Sequence, residues 1–166
     1  MRVLNGTAIL ALTFASLMAS PQVQETQKTA RSGAKAEAVQ YLYPEQVTVP
    51  AGKPTPVALH FRIAQGLHIN AHATRDEFLI PTELSIPGAS GVRLESADYP
   101  PGKDFKLPVE PGSTLSVYTG EFAIQSRIVA QPGDHLVEAK LRYQASDQYA
   151  CLPPKTITVP IDVIAK

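Results

Sequence analysis

The chain has 166 residues and a mass of 17.8 kDa, the size of one domain with a tail. Fifteen basic residues balance fifteen acidic ones and the pI is about 6.9, so the basic footprint of a nucleic-acid binder is missing. A hydrophobic fraction of 44% argues against wholesale disorder, 15 prolines argue against a helical bundle, and one cysteine excludes an internal disulfide framework or a thiolate zinc cluster.

Residues 1–20 have the composition of a signal peptide. Arg2 is the only charge before Glu25, and Ala8–Ala19 is an apolar run of about a dozen residues. A membrane span needs ~20. Ala15, Ser16, Ala19 and Ser20 supply the small residues of a cleavage neighbourhood. The expected location is therefore the periplasm or the exterior, with no stable membrane insertion after cleavage. Residues 21–40 are rich in Gln, Lys, Ala, Thr, Ser and Glu and lack a periodic apolar stripe, which predicts a flexible leader. Ala34–Ala38 carries the residues of a short frayed helix. The folded domain is expected over 41–166.

From Tyr41 onward the hydrophobic period is two. Val57, Leu59, Phe61 and Ile63 alternate with Ala58, His60, Arg62 and Ala64. Val137, Ala139, Leu141 and Tyr143 alternate with polar residues, as do Ile157, Val159, Ile161 and Val163. Each pattern turns one face to a core and the other to water. Phe122, Ile124 and Ile128 repeat it more weakly, with Ser126 interrupting. Shorter runs lie at Gln46–Val49, Leu67–Asn70, Thr82–Ile86, Val92–Leu94 and Thr114–Tyr118. Pairs such as Gln65-Gly66, Pro87-Gly88, Pro101-Gly102 and Pro132-Gly133 mark the turns between them. Roughly eight or nine short strands with this punctuation predict an all-β antiparallel sandwich. Pro160 inside the last run predicts an edge strand.

Leu141–Thr156, LRYQASDQYACLPPKT, is the informative segment. A strand ends near Gln144, a short polar loop follows, and Cys151 is succeeded by Leu152, Pro153 and Pro154. Two prolines fix φ and remove two amide donors, so the backbone near Cys151 is stiff and outside a regular ladder. Spacing alone leaves two roles open for this cysteine: a buried inert residue, or a thiol available for intermolecular chemistry.

The segment resembles the signature of the N-terminal periplasmic domain of DsbD, a thiol:disulfide interchange protein. In that family a strand ends in Tyr-Gln-(Ala/Gly)-Cys, and a second Cys follows a short loop before a Pro-Pro pair. Tyr143, Gln144, Ala145, Cys151, Leu152, Pro153, Pro154 and Lys155 match. Gly66–Asn70, Phe78–Thr82, Tyr99–Lys103 and Val117–Glu121 resemble further family segments in the same order. The resemblance covers about Tyr41 to Val163. It implies an immunoglobulin-like fold, no cofactor, and exchange with thioredoxin-like or other exported thiol/disulfide proteins.

One departure bears on the chemistry. The family's first cysteine falls on Ser146, and Cys151 matches the second, the partner-facing nucleophile. A dithiol takes up a disulfide by forming its own; a single thiol goes no further than a mixed disulfide. Ser146 is suited to hydrogen-bond the thiolate but not to resolve that intermediate. Lys155 would favour the thiolate and Asp147 would oppose it. The family's cap loop shields its dithiol, and the resemblance makes Phe105 the candidate for the cap aromatic, against an ordinary loop Phe folded on the core. Tyr143 follows the inward face; Tyr149 lies off the strands and is a candidate partner surface. The rival reading is a non-catalytic binding module that kept the docking surface and lost redox turnover.

Other constellations are weaker. His68 and His72 on one strand would stand ~13 Å apart, too far for one metal, so no metal site is expected. A Cys151–His135 nucleophile pair would suit a hydrolase, but no third orienting residue supports it.

Overall fold

The computed structural model describes residues 37–42, 46–88, 90–107 and 112–166. The signal segment and nearly all of the leader, including Ala34–Lys35–Ala36 of the short helix reading, lie outside the described residues. No described residue is helical.

Twelve strands follow in chain order: β1 (Val39–Leu42), β2 (Gln46–Val49), β3 (Thr55–Ile63), β4 (His68–Asn70), β5 (Glu83–Ser85), β6 (Val92–Asp98), β7 (Lys103–Lys106), β8 (Thr114–Tyr118), β9 (Glu121–Ala130), β10 (Gly133–Tyr143), β11 (Ala145–Ser146) and β12 (Lys155–Ala165). They form three four-stranded sheets, ordered β1-β3-β9-β6, β2-β12-β10-β5 and β11-β4-β8-β7. All pairings are antiparallel except β2 against β12. The architecture is an all-β, immunoglobulin-like sandwich.

The alternation of the sequence becomes the two faces of these strands. In β3 the side chains Val57, Leu59, Phe61 and Ile63 are buried while Ala58, His60 and Arg62 are exposed. β10 and β12 repeat the pattern, and Val137, Ala139, Leu141, Val159, Ile161 and Val163 join the residues of β3 and β9 in one apolar cluster. A fully buried aliphatic or aromatic side chain stabilises the fold by about 1.5–3 kcal/mol. Ser126 does not break this face. It points inward, and its hydroxyl donates to the Val57 carbonyl at 2.7 Å, so a buried polar group is satisfied within the core.

Two expectations need adjusting. The domain starts earlier than Tyr41, because Ala38 and Val39 are buried and β1 pairs Val39 with Ile63. β12 is an inner strand of its sheet, not an edge strand. Among the described residues β2 pairs with β12 only at Asp162–Ala165, so Pro160 has no described ladder partner on that side.

Candidate functional site

β10 and β12 form a long hairpin, Tyr143 facing Lys155, whose tip makes an excursion into another sheet. After Tyr143 the chain turns at Gln144. Ala145 and Ser146 then pair with Ile69 and His68 of β4. Residues 147–150 fold back in a tight turn. Asp147 Oδ1 accepts the amides of Tyr149 (2.7 Å) and Ala150 (2.8 Å), the side-chain-closed turn that Asp favours. The return brings Cys151 directly opposite Ser146.

Hydrogen bonds on either side of this pair define its type. Leu152 N–H donates to the Ala145 carbonyl at 2.8 Å, and Asp147 N–H donates to the Ala150 carbonyl at 3.1 Å. Ser146 and Cys151 are therefore a non-hydrogen-bonded antiparallel pair, the kind with the closest Cα atoms, about 4.5 Å, and neighbouring side chains. Ser146 is buried at 4% exposure; Cys151 is a free, exposed thiol.

A polar network ties the hairpin to the body. Gln144 Nε2 donates to the Leu152 carbonyl at 3.2 Å. Asn70 Nδ2 lies 3.4 Å from Gln144 Oε1 and 3.0 Å from the Ile80 carbonyl. Thr82 Oγ1 donates to the Asn70 carbonyl at 2.6 Å. His72 Nδ1 is 3.0 Å from the Thr82 carbonyl, which only accepts, so Nδ1 carries the proton. The His72 ring stacks on Tyr99 at 3.8 Å, and Tyr118 Oη accepts the His72 amide and donates to the Pro100 carbonyl. Four scattered sequence segments are thus linked to one hairpin.

His68 sits beside Ser146 in the register and is 3% exposed. Its ring lies 4.3 Å from that of Phe105, and among the described residues its Nε2 has no hydrogen-bond partner. Burial holds its pKa below 6.5, with Asp147 partly opposing. The Asp147 carboxyl in turn lies below its ordinary range, because two backbone amides bond it and His68 is near.

The sign of the resulting pH dependence follows. The unfolded chain protonates His68 near pH 6.5, while the folded chain resists until lower pH. The stabilisation is complete above that value and is lost as pH falls towards the folded pKa. Thermal unfolding between about pH 7 and 5 should therefore show a falling Tm, and His68→Phe, which keeps a ring against Phe105, should flatten that slope. An unchanged slope in the variant would rule His68 out as its source.

A family model for the N-terminal domain of the thiol:disulfide interchange protein DsbD matches residues 38–162. The chain belongs to the DsbD N-terminal family. The crystal structure of the Neisseria meningitidis DsbD N-terminal domain in the reduced form is similar at a TM-score of 0.45 and 19% identity, covering 67% of this chain and 79% of that one. No curated protein matches the chain.

Within this DsbD-type domain the structure brings Cys151 and Ser146 together and sets Phe105 on His68, the register neighbour of Ser146. Tyr149 is 77% exposed on the turn before Cys151, and Tyr143 is fully buried. His135 is not brought to the site: it lies at the far end of β10, about 26 Å along the strand from Tyr143, which removes the Cys151–His135 hydrolase pair. His68 and His72 have separate partners, Phe105 for one and Tyr99 with Thr82 for the other. Sequence reasoning weighed His68 only as a metal ligand and missed Asn70 and Gln144 as anchors. Their signal was present in the Gly66–Asn70 and Tyr143–Ala145 motifs, but which residues those motifs meet is a property of the fold.

Proposed function

We propose that this domain exchanges disulfides with other exported proteins through Cys151 alone, with Ser146 in the position of a missing partner cysteine. The observation that carries the reading is the exposed thiol held opposite Ser146 on a backbone-locked hairpin in a DsbD-type domain. The Cys151 thiolate attacks one sulfur of a partner disulfide. A Cys151–partner disulfide forms, and the second partner sulfur leaves as a thiolate. No electron is gained or lost overall. Release then requires a second thiol, from another polypeptide or a small molecule. The partners are thioredoxin-like or other thiol/disulfide proteins of the periplasm or exterior, the compartment to which a signal segment over residues 1–20 would deliver the domain.

The position of Ser146 also favours a second reading, a binding module that retains the docking surface without turnover. Incubation of the folded domain with a peptide disulfide, followed by intact mass, separates the two. Exchange predicts one peptide adduct per chain with release of one peptide thiol, and none for Cys151→Ser. No adduct until the domain is unfolded would overturn the exchange reading and leave the binding module.

A further inference from the structure

A cleft of about 890 Å³ opens beside the hairpin, between the β3–β4 connection, the β8–β9 turn and the Asp147–Tyr149 turn. Among the described residues, three charged side chains line it. Arg62 and Glu121 neutralise each other, with Arg62 Nη2 2.7 Å and Nε 2.9 Å from Glu121 Oε1. Among the described residues Asp147 forms no ion pair, and only its Oδ1 is engaged by the turn. The cleft therefore carries a net negative charge. His68 also lines it, buried, with Nε2 unpartnered among the described residues. Phe105 and Tyr149 add aromatic rings to the same lining.

We propose that this cleft takes an arginine side chain carried by the segment that presents the partner's disulfide to Cys151. The choice follows from what is left unsatisfied. The Asp147 carboxylate, with Oδ2 outside the turn, calls for donors, and a guanidinium supplies five N–H groups in a rigid plane. Its face is also attracted to aromatic rings. A lysine ammonium is a compact point charge that does not offer this planar fork, and an acidic side chain would be repelled by Asp147. The half of the proposal that concerns the partner rests on the exchange reading; the half that concerns the cleft does not.

Two measurements test the halves separately. The first titrates N-acetyl-arginine methylamide into Cys151→Ser protein and follows the His68 ring nitrogens by NMR. A saturable shift is expected. It should be absent with the uncharged citrulline analogue and weakened in Asp147→Asn, whose side-chain oxygen still accepts the two turn amides. No saturable shift, or an equal one with citrulline, overturns the cleft assignment. The second compares exchange rates of the native domain with short peptide disulfides carrying arginine at successive positions around the cysteine, each against its citrulline twin. At least one arginine peptide should react about three- to fivefold faster, with the advantage shrinking in salt. Equal rates at every position overturn the partner half. No exchange with any peptide, with the His68 shift intact, overturns the Cys151 exchange reading and the partner half with it, and leaves the cleft assignment standing.

Discussion

Ser146→Cys should form a disulfide with Cys151 under mild oxidation, without a change of fold. The two positions are a non-hydrogen-bonded antiparallel pair flanked by the Leu152–Ala145 and Asp147–Ala150 hydrogen bonds. Such pairs hold Cα atoms about 4.5 Å apart, inside the window of roughly 4.4–6.8 Å that disulfides occupy. Serine and cysteine differ by one heavy atom, so burial at position 146 is little disturbed. Closing a loop of about six residues limits the gain to about 2 kcal/mol in the chain-entropy model. The expected readings are a mass loss of two hydrogens, no free thiol in the denatured oxidised protein, and a higher urea midpoint. Two thiols that survive oxidant would show that the hairpin does not hold this register in solution. The variant should also change chemistry. The introduced thiol would attack the Cys151–partner disulfide, closing an internal bond and releasing the partner as a thiol. An adduct that persists in the native domain should then become transient.

Asn70→Ala is expected to destabilise the domain by about 2–4 kcal/mol. Asn70 is 3% exposed, and its amide spans the Ile80 carbonyl and Gln144 Oε1. Truncation leaves both part-buried acceptors without that donor, and an unsatisfied buried polar group costs about 1–3 kcal/mol. Gln144→Ala is the milder companion. It removes the donor to the Leu152 carbonyl but leaves Asn70 its bond to Ile80, so a cost of about 1 kcal/mol is expected. Urea unfolding at neutral pH measures both. A cost below about 0.5 kcal/mol for Asn70→Ala would mean the network contributes nothing beyond solvation.

The strands easiest to foresee were those whose side chains alternate because one face is buried. β3, β10 and β12 declare themselves this way, and Gln46–Val49 and Thr114–Tyr118 fall on β2 and β8. β7, Lys103–Lys106, does not. Three of its four residues are charged, and it is a strand because its backbone pairs with β8. β11 is too short for any periodicity; its two residues are fixed by β4. β1 was hidden because Val39 follows a polar stretch with no periodic apolar stripe, and its burial comes from pairing with β3. At the site, Cys151 and Ser146 were visible through the family's motif order. The anchoring by Asn70 and Gln144, and the burial of His68 under Phe105, were not. They join residues up to 74 positions apart, and no local pattern encodes such a meeting.

The geometry of the Ser146–Cys151 pair also sets how this domain behaves in a crowd. In a non-hydrogen-bonded pair, the amide and carbonyl of Cys151 point away from Ser146, and among the described residues neither has a partner. An open strand margin of this kind invites edge-to-edge growth between copies. Here the margin is one residue long. The turn closes one side, Leu152 turns its amide inward to Ala145, and Pro153 and Pro154 have no amide to offer. The thiol can thus stand exposed at high concentration without also nucleating a continuous intermolecular sheet.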